Sequence, residues 1–303
     1  MIEITNLTKT YKGGIKALDN INLTIDSKGM FGLLGANGAG KTTLMRITAG
    51  LLQPTTGEIS VFGHHLGTLR GKQGAKSVLG YLPQELGLFP TLNAYEFLDY
   101  IAILKGINDP KIRRRQVEEA IEKVRLTDAA RRPLKTYSGG MKRRAGIAQA
   151  ILGNPKLLIV DEPTTGLDPE ERVRLRNLLS EMAKSCTVIL STHIVEDISY
   201  SCNDLAVIRK GQVLYRGTPA EMIGQARGKV WHITTQGEQP NGGLTVVSTL
   251  QTQYGVQYRV LGDPSAYASA VPAEPTLEDG YIWLMRQSRG EAPQAAPERE
   301  FAL

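Results

Sequence analysis

The stretch from Met30 to Leu51 constrains this chain more than any other. A short apolar run, Met30 to Leu34, enters Gly35-Ala36-Asn37-Gly38-Ala39-Gly40-Lys41-Thr42, after which Leu44, Ile47 and Leu51 recur at helical spacing. In the order strand, glycine loop, helix, backbone N–H groups can curl around phosphate oxygens while the helix points its positive end at them. The octapeptide fits GxxxxGK[ST]: Lys41 reaches the outer phosphates of a nucleotide and Thr42 ligates Mg²⁺.

Two later runs repeat the theme. Leu157 to Val160 and Thr187 to Leu190 are short and continuously apolar, and each enters a polar loop, as strands buried on both faces of a parallel sheet do. The first delivers Asp161 and Glu162, adjacent carboxylates at the carboxyl end of a strand, where α/β proteins keep their ligand sites. Asp161 suits a metal-ligating role through water, and Glu162, pointing the other way, can polarise the water that attacks a γ-phosphate. The second run delivers His193. Three strand ends therefore converge on one edge of a central α/β sheet.

Around this centre the texture varies. Ile2 and Ile4, then Ile21, Leu23 and Ile25, alternate like half-buried antiparallel strands, with Ser27-Lys28-Gly29 as the turn that follows. From about 90 to 140 the pattern is helical. Asn93 with Glu96 fits a capping box before Phe97, Leu98, Ile101 and Leu104. A second helix has Val117, Ala120, Ile121 and Val124 as its stripe, and Arg113-Arg114-Arg115 read as its solvated face, with Arg114–Glu118 and Arg115–Glu119 pairs. Lys210-Gly211 turns a hairpin that closes a large domain over 1–220. A small α+β module is expected over 228–287, from the alternation of Trp231 and Ile233, of Val246, and of Val256, Tyr258 and Val260, with one helix from Leu277 to Met285. The Ala-, Pro-, Glu- and Gln-rich segment 288–303 is expected to be a mobile tail.

Composition excludes several classes. With 41% hydrophobic and 22% charged residues in 303, the chain reads as ordinary globular protein. No run reaches the 18 apolar residues a membrane span needs, and the start has no signal-peptide pattern, so a cytoplasmic location is expected. Cys186 and Cys202 sit in apolar runs and read as buried reduced thiols. The net charge of +6 divides into 30 basic against 21 acidic residues up to Pro219 and 6 against 9 beyond it. The excess is dispersed, so no nucleic-acid partner is expected.

Ser138-Gly139-Gly140 opens a helix running from Met141 to Leu152. Ser138 can cap it, and the glycines leave its first N–H groups open to an anion. One nucleotide needs one such loop, so a second glycine-lined helix start makes sense if it closes over the nucleotide held by another copy.

Taken together, these motifs resemble the ATP-binding cassette (ABC) transporter ATPases over roughly the first 220 residues. The resemblance implies a mixed central sheet with an antiparallel β subdomain and a helical subdomain. It also implies ATP and Mg²⁺ as ligands, with Thr43 joining the loop from Gly35 to Thr42 at the phosphates. Gln84 in Tyr-Leu-Pro-Gln-Glu looks like the loop residue that senses metal and membrane partner, and Ser138-Gly139-Gly140-Met141 looks like the family signature. Leu167-Asp168 looks like the loop that communicates across a dimer, His193 like the switch histidine, and Tyr11 like the aromatic residue that stacks on adenine. Tyr137 and Met141 depart from the commonest signature, Leu before and Gln after, in a way similar to exporter ATPases for drugs, antibiotics or ions. The implied partners are a second copy, in an ATP-sandwich dimer, and a separate multi-span permease that would hold the chain at the inner face of the membrane. A cassette ATPase remodelling nucleic acid or ribosomes is the alternative, although such relatives usually carry two cassettes or a long coiled-coil insertion. A signalling GTPase is disfavoured because the Asn-Lys-x-Asp guanine reader is missing.

Overall fold

The computed structural model describes residues 1–26 and 29–289; the expected turn at Ser27-Lys28 and the expected tail beyond Arg289 fall outside them. Two compact units divide the chain, one from Met1 to Arg216 and a second beginning at Gly217.

In the first unit, β1 (Ile2–Thr10) and β2 (Lys16–Ile25) pair antiparallel with Ile2 opposite Ile25 and Ile4 opposite Leu23. The alternation in sequence thus becomes one apolar face, as the two-residue period of a strand requires. β4 (Thr56–Val61) and β5 (His64–His65) extend this sheet in the order β2-β1-β4-β5. Sequence periodicity missed β4, half of which is exposed, because its pairing with β1 is what makes it a strand.

The second sheet runs β10-β9-β3-β8-β7-β6. It comprises β3 (Gly29–Leu34), β6 (Leu79–Leu82), β7 (Leu157–Asp161), β8 (Thr187–Thr192), β9 (Asp204–Arg209) and β10 (Gln212–Gly217). β9, β3, β8, β7 and β6 are mutually parallel. Every residue of β7 and β8 is buried, which explains their continuous apolar runs; each fully buried Leu, Ile or Val contributes about 2 kcal/mol. Lys210 (φ 48°) and Gly211 (φ 79°) turn between β9 and β10 with positive φ at both positions, as a two-residue hairpin requires. One apolar core joins the antiparallel sheet, α1 (Lys41–Thr48) and this sheet through residues such as Leu7, Leu44, Met45, Ile159 and Ile189.

α2 (Leu69–Val78) leads into β6, and α3 (Ala94–Leu104), α4 (Pro110–Lys123) and α5 (Gly139–Ile151) follow. The capping box of α3 is present, with Asn93 accepting from Glu96 N and Glu96 accepting from Asn93 N. Arg114 and Arg115 pair with Glu118 and Glu119 on the outer face of α4. Arg113 does not share that face. Its Nε lies 2.6 Å from Asp99 on α3 and its Nη1 reaches the Ile107 and Asn108 carbonyls, because position 113 stands four residues before buried Val117. α6 (Pro169–Met182) and α7 (Val195–Ser199) complete the unit. Cys186 and Cys202 are buried and unpaired, and burial pushes both thiols up.

The second unit contains α8 (Pro219–Gln225), β11 (Val230–Thr235), β12 (Thr245–Thr252), β13 (Gly255–Leu261), β14 (Val271–Pro272) and α9 (Leu277–Gln287). Its antiparallel sheet runs β12-β13-β11-β14. α8 and α9 approach so closely at Gly280 that a Cβ there would lie 2.5 Å from the Met222 carbonyl. Ala226, Val230, Leu261 and Trp283 form one apolar cluster and Ile233, Tyr258 and Val260 another, and Asp279, fully buried, is ion-paired with Arg259 at 2.6 Å.

Candidate nucleotide site

The loop after β3 is shaped by what surrounds it. Gly40, with φ 110°, ends the loop in a conformation L side chains avoid, and a Cβ there would lie 2.6 Å from the Ala17 carbonyl. A Cβ on Gly35 would collide with the Ile208 carbonyl of β9. Helix α1 then starts at Lys41 with no acidic residue in its first turn, leaving the N-terminal end of its dipole uncompensated.

A cavity of about 380 Å³ lies over this helix start. It is lined by Asn37, Gly38 and Gly40 of the loop, by Lys41, Thr42 and Thr43, and by Ala17, Gln84 and Glu162. Residues expected from three separate stretches of sequence therefore meet here. The cause is strand order: β3, β8 and β7 are adjacent and parallel, with Leu34 opposite Thr192 and Asp161 opposite Ser191, so their carboxyl ends lie side by side.

A line of polar contacts crosses those ends. Lys41, only 4% exposed, donates to the Gly35 and Ala36 carbonyls at 2.7 and 3.1 Å and pairs with Glu162 Oε1 at 3.1 Å. Glu162 Oε2 lies 3.1 Å from His193 Nδ1 and accepts from Thr165 Oγ1 at 3.2 Å. Burial opposes ionisation of Glu162, but the hydrogen bond and charge of Lys41, with His193 and Thr165, hold its carboxyl below the usual range. Its backbone is left-handed, φ 47°, which costs a non-glycine residue roughly 1–3 kcal/mol; its N–H bond to the Ser191 carbonyl at 2.9 Å helps hold it there. Asp161 is fully buried. Its Oδ1 accepts from Ser191 Oγ at 2.7 Å and its Oδ2 has no hydrogen-bond partner. Burial pushes this carboxyl up, against the Ser191 and Thr42 hydroxyls.

Tyr11, the Ser138-Gly139-Gly140 turn and Asp168 are not part of the cavity wall. Tyr11 follows β1, and its hydroxyl is 3.3 Å from Thr43 Oγ1. Ser138 caps α5, accepting from Met141 N at 3.2 Å; it and Gly139 are exposed, and neither they nor Gly140 line the cavity. Asp168 caps α6, accepting from Glu171 N.

The ABC transporter family model matches residues 18–165. The linearmycin resistance ATP-binding protein LnrL of Bacillus subtilis is 34% identical over 229 residues, covering 75% of this chain and 72% of that protein. The chain belongs to the ABC transporter ATP-binding proteins. Another such relative, the bacitracin transport ATP-binding protein BcrA of Bacillus licheniformis, is 36% identical over 216 residues, 71% of this chain and 68% of its own length. Among solved structures, the cassette MJ0796, dimeric and bound to ADP and phosphate after hydrolysis, matches with TM-score 0.66 and 28% identity over 72% of this chain and 98% of that one. The chain is thus a nucleotide-binding ATPase subunit whose hydrolysis is coupled to transport.

Two residues of this cassette escaped the reading of its sequence. Asp197, 1% exposed, accepts from Thr164 Oγ1 at 2.6 Å and Thr192 Oγ1 at 3.1 Å. It thereby ties the loop after Glu162 to the residue before His193. Arg143 donates to the Pro83 and Gln84 carbonyls. An acidic residue on a short helix and a basic residue in a basic run carry no local signal of either contact.

Proposed function

We propose that this chain binds ATP with Mg²⁺ in the cavity over α1 and hydrolyses it as one half of a two-copy ATP sandwich, energising export of a substrate through a separate membrane permease. The observation that carries this reading is the line Lys41–Glu162–His193 across three adjacent strand ends, beside the open N-terminus of α1.

The loop from Gly35 to Gly40 with Lys41, Thr42 and Thr43 takes the phosphates, and Tyr11 takes the adenine. Thr42, Gln84 and Asp161 suit Mg²⁺: the buried Asp161 Oδ2 lacks a partner, and no group of three His, Cys, Asp or Glu gathers for a metal among the described residues. A hard cation shared between a few protein oxygens and substrate phosphates needs no more. Bound there, the ion would neutralise charge developing on the phosphates. Lys41 exchanges Glu162 for phosphate oxygen when ATP enters. Glu162, a carboxylate at neutral pH, accepts a proton from the water that attacks the γ-phosphorus as the bond to the β-phosphate oxygen breaks. His193, bonded to the same carboxylate, orients it and reaches the γ-phosphate.

Ser138, Gly139 and Gly140 complete the partner copy's site. The exposure of Ser138 and Gly139 at the start of α5 and the dimeric state of the related MJ0796 cassette support this arrangement. No helix among the described residues is long and apolar enough to cross a membrane, which suits a subunit working through a separate permease at the membrane's inner face. The resistance and transport functions named for LnrL and BcrA favour export. In this reading residues 1–220 are the motor and 228–287 an accessory module. Affinity purification from membranes tests the whole: a co-purifying multi-span protein that stimulates ATP hydrolysis is expected, and recovery with RNA or DNA instead would overturn it.

A further inference from the structure

The first turns of α5, capped by Ser138, grip the loop that carries Gln84. Arg143 Nη1 donates to the Gln84 carbonyl at 2.6 Å and to the Pro83 carbonyl at 3.2 Å. Three residues on, and so on the same face of the helix, Gly146 brings the α5 backbone against the same loop: a Cβ there would lie 2.6 Å from a Leu82 methyl and 2.7 Å from a Leu86 methyl. The segment 82–86 is therefore clamped to α5 twice, by a charge-assisted pair of hydrogen bonds and by close apolar packing. Two successive carbonyls held by one guanidinium fix the orientation of the peptide planes on either side of the Gln84 Cα, and with it the direction in which that side chain leaves the backbone.

Arg143 also feels the site itself. Burial lowers its pKa, and the charges of Asp161 and Glu162 work against that lowering.

We propose that Arg143 is a positioning residue that holds the Gln84 backbone against α5 and so aims the Gln84 side chain at the metal-nucleotide. This rests on the reading of Gln84 as a contact to the bound Mg²⁺. The lock leaves no trace in the sequence around Lys142-Arg143-Arg144, because its acceptors lie about sixty residues earlier in the chain.

The experiment measures the affinity of the full chain for a fluorescent ATP analogue in Mg²⁺ and in EDTA, with kcat and KM alongside. Arg143→Ala should leave affinity in EDTA unchanged and cut the gain given by Mg²⁺ about tenfold, the lower end of what residues behind a metal ligand contribute. It should lower kcat more than it raises KM. Arg143→Lys, able to reach one carbonyl, should recover part of the gain. Gln84→Ala should lose the gain as well, and the double variant should lose no more than Gln84→Ala alone, since both act through one side chain. If Gln84→Ala loses the gain while Arg143→Ala keeps it, or if the double variant loses more, the lock is wrong and the reading of Gln84 stands. If Gln84→Ala keeps the gain, that reading falls and Arg143 has nothing to aim. Should Arg143→Ala fail to fold, Arg143→Gln carries the same comparison, and an undiminished gain there overturns the proposal.

Discussion

Replacing Glu162 with glutamine separates nucleotide binding from hydrolysis. The carboxylate is 5% exposed with Oε1 3.1 Å from Lys41 Nζ. At an effective dielectric near 20, that attraction is about 5 kcal/mol before the cost of desolvation is counted. Lys41 must surrender it to hold a phosphate, although the Gly35 and Ala36 carbonyls still steady the ammonium. Glutamine removes both this competing attraction and the repulsion between a carboxylate and the γ-phosphate, so ATP affinity should hold or rise. Without ATP the same change leaves a buried ammonium without its anion, and melting should fall by an amount equivalent to about 3 kcal/mol, restored by nucleotide. Turnover loses its base, a drop of roughly 10²- to 10⁴-fold or about 2.7 to 5.5 kcal/mol of barrier. Titration with a fluorescent ATP analogue, phosphate release, and size exclusion with ATP read the three quantities, and the dimer should accumulate. Turnover within threefold of the parent protein would falsify the role given to Glu162. A parallel loss of ATP affinity would instead make Glu162 a structural anchor for Lys41.

Two further outcomes test separate parts of the reading. Ser138→Arg removes a helix cap worth about 1 kcal/mol and puts bulk and charge on the exposed start of α5, so ATP binding to a single copy should survive. ATP-driven dimerisation and hydrolysis should fall at least about 100-fold, and intact hydrolysis would end the shared-site model. In the second unit, burial opposes the charge of Asp279, but the hydrogen bonds and charge of Arg259, with Thr276, hold its carboxyl below the usual range. A depressed carboxylate contributes stability that is fully present above its unfolded value near about 3.9 and is lost as pH falls through the lower folded value. Denaturation of the full chain at neutral pH should therefore show Asp279→Asn weaker by about 3 kcal/mol, with the gap closing as pH falls from the unfolded value through the lower folded one; a gap independent of pH would rule this out.

What the sequence carried was local chemistry. Alternation marked Ile2 and Ile4, and Ile21, Leu23 and Ile25, as half-buried antiparallel strands, the Asn93–Glu96 box opened α3, Ser138 capped α5, and Lys210-Gly211 turned a hairpin. Each involves residues a few positions apart, or a period set by the backbone, so each leaves a trace in the order of residues. The phosphate-binding loop belongs to this class, which is why the nucleotide was legible first. Strand order, by contrast, was decided in three dimensions. β4 and β6 have no periodic signature of their own and exist through β1 and β7 beside them. Arg113 left the solvated face for Asp99, Arg143 reached back to Gln84, and Asp197 tied the loop after Glu162 to the strand end before His193. These contacts join residues from 5 to 59 positions apart. A single charged side chain looks the same in sequence whether its partner is water or a buried carbonyl. Packing alone, by removing the water, made those partners obligatory.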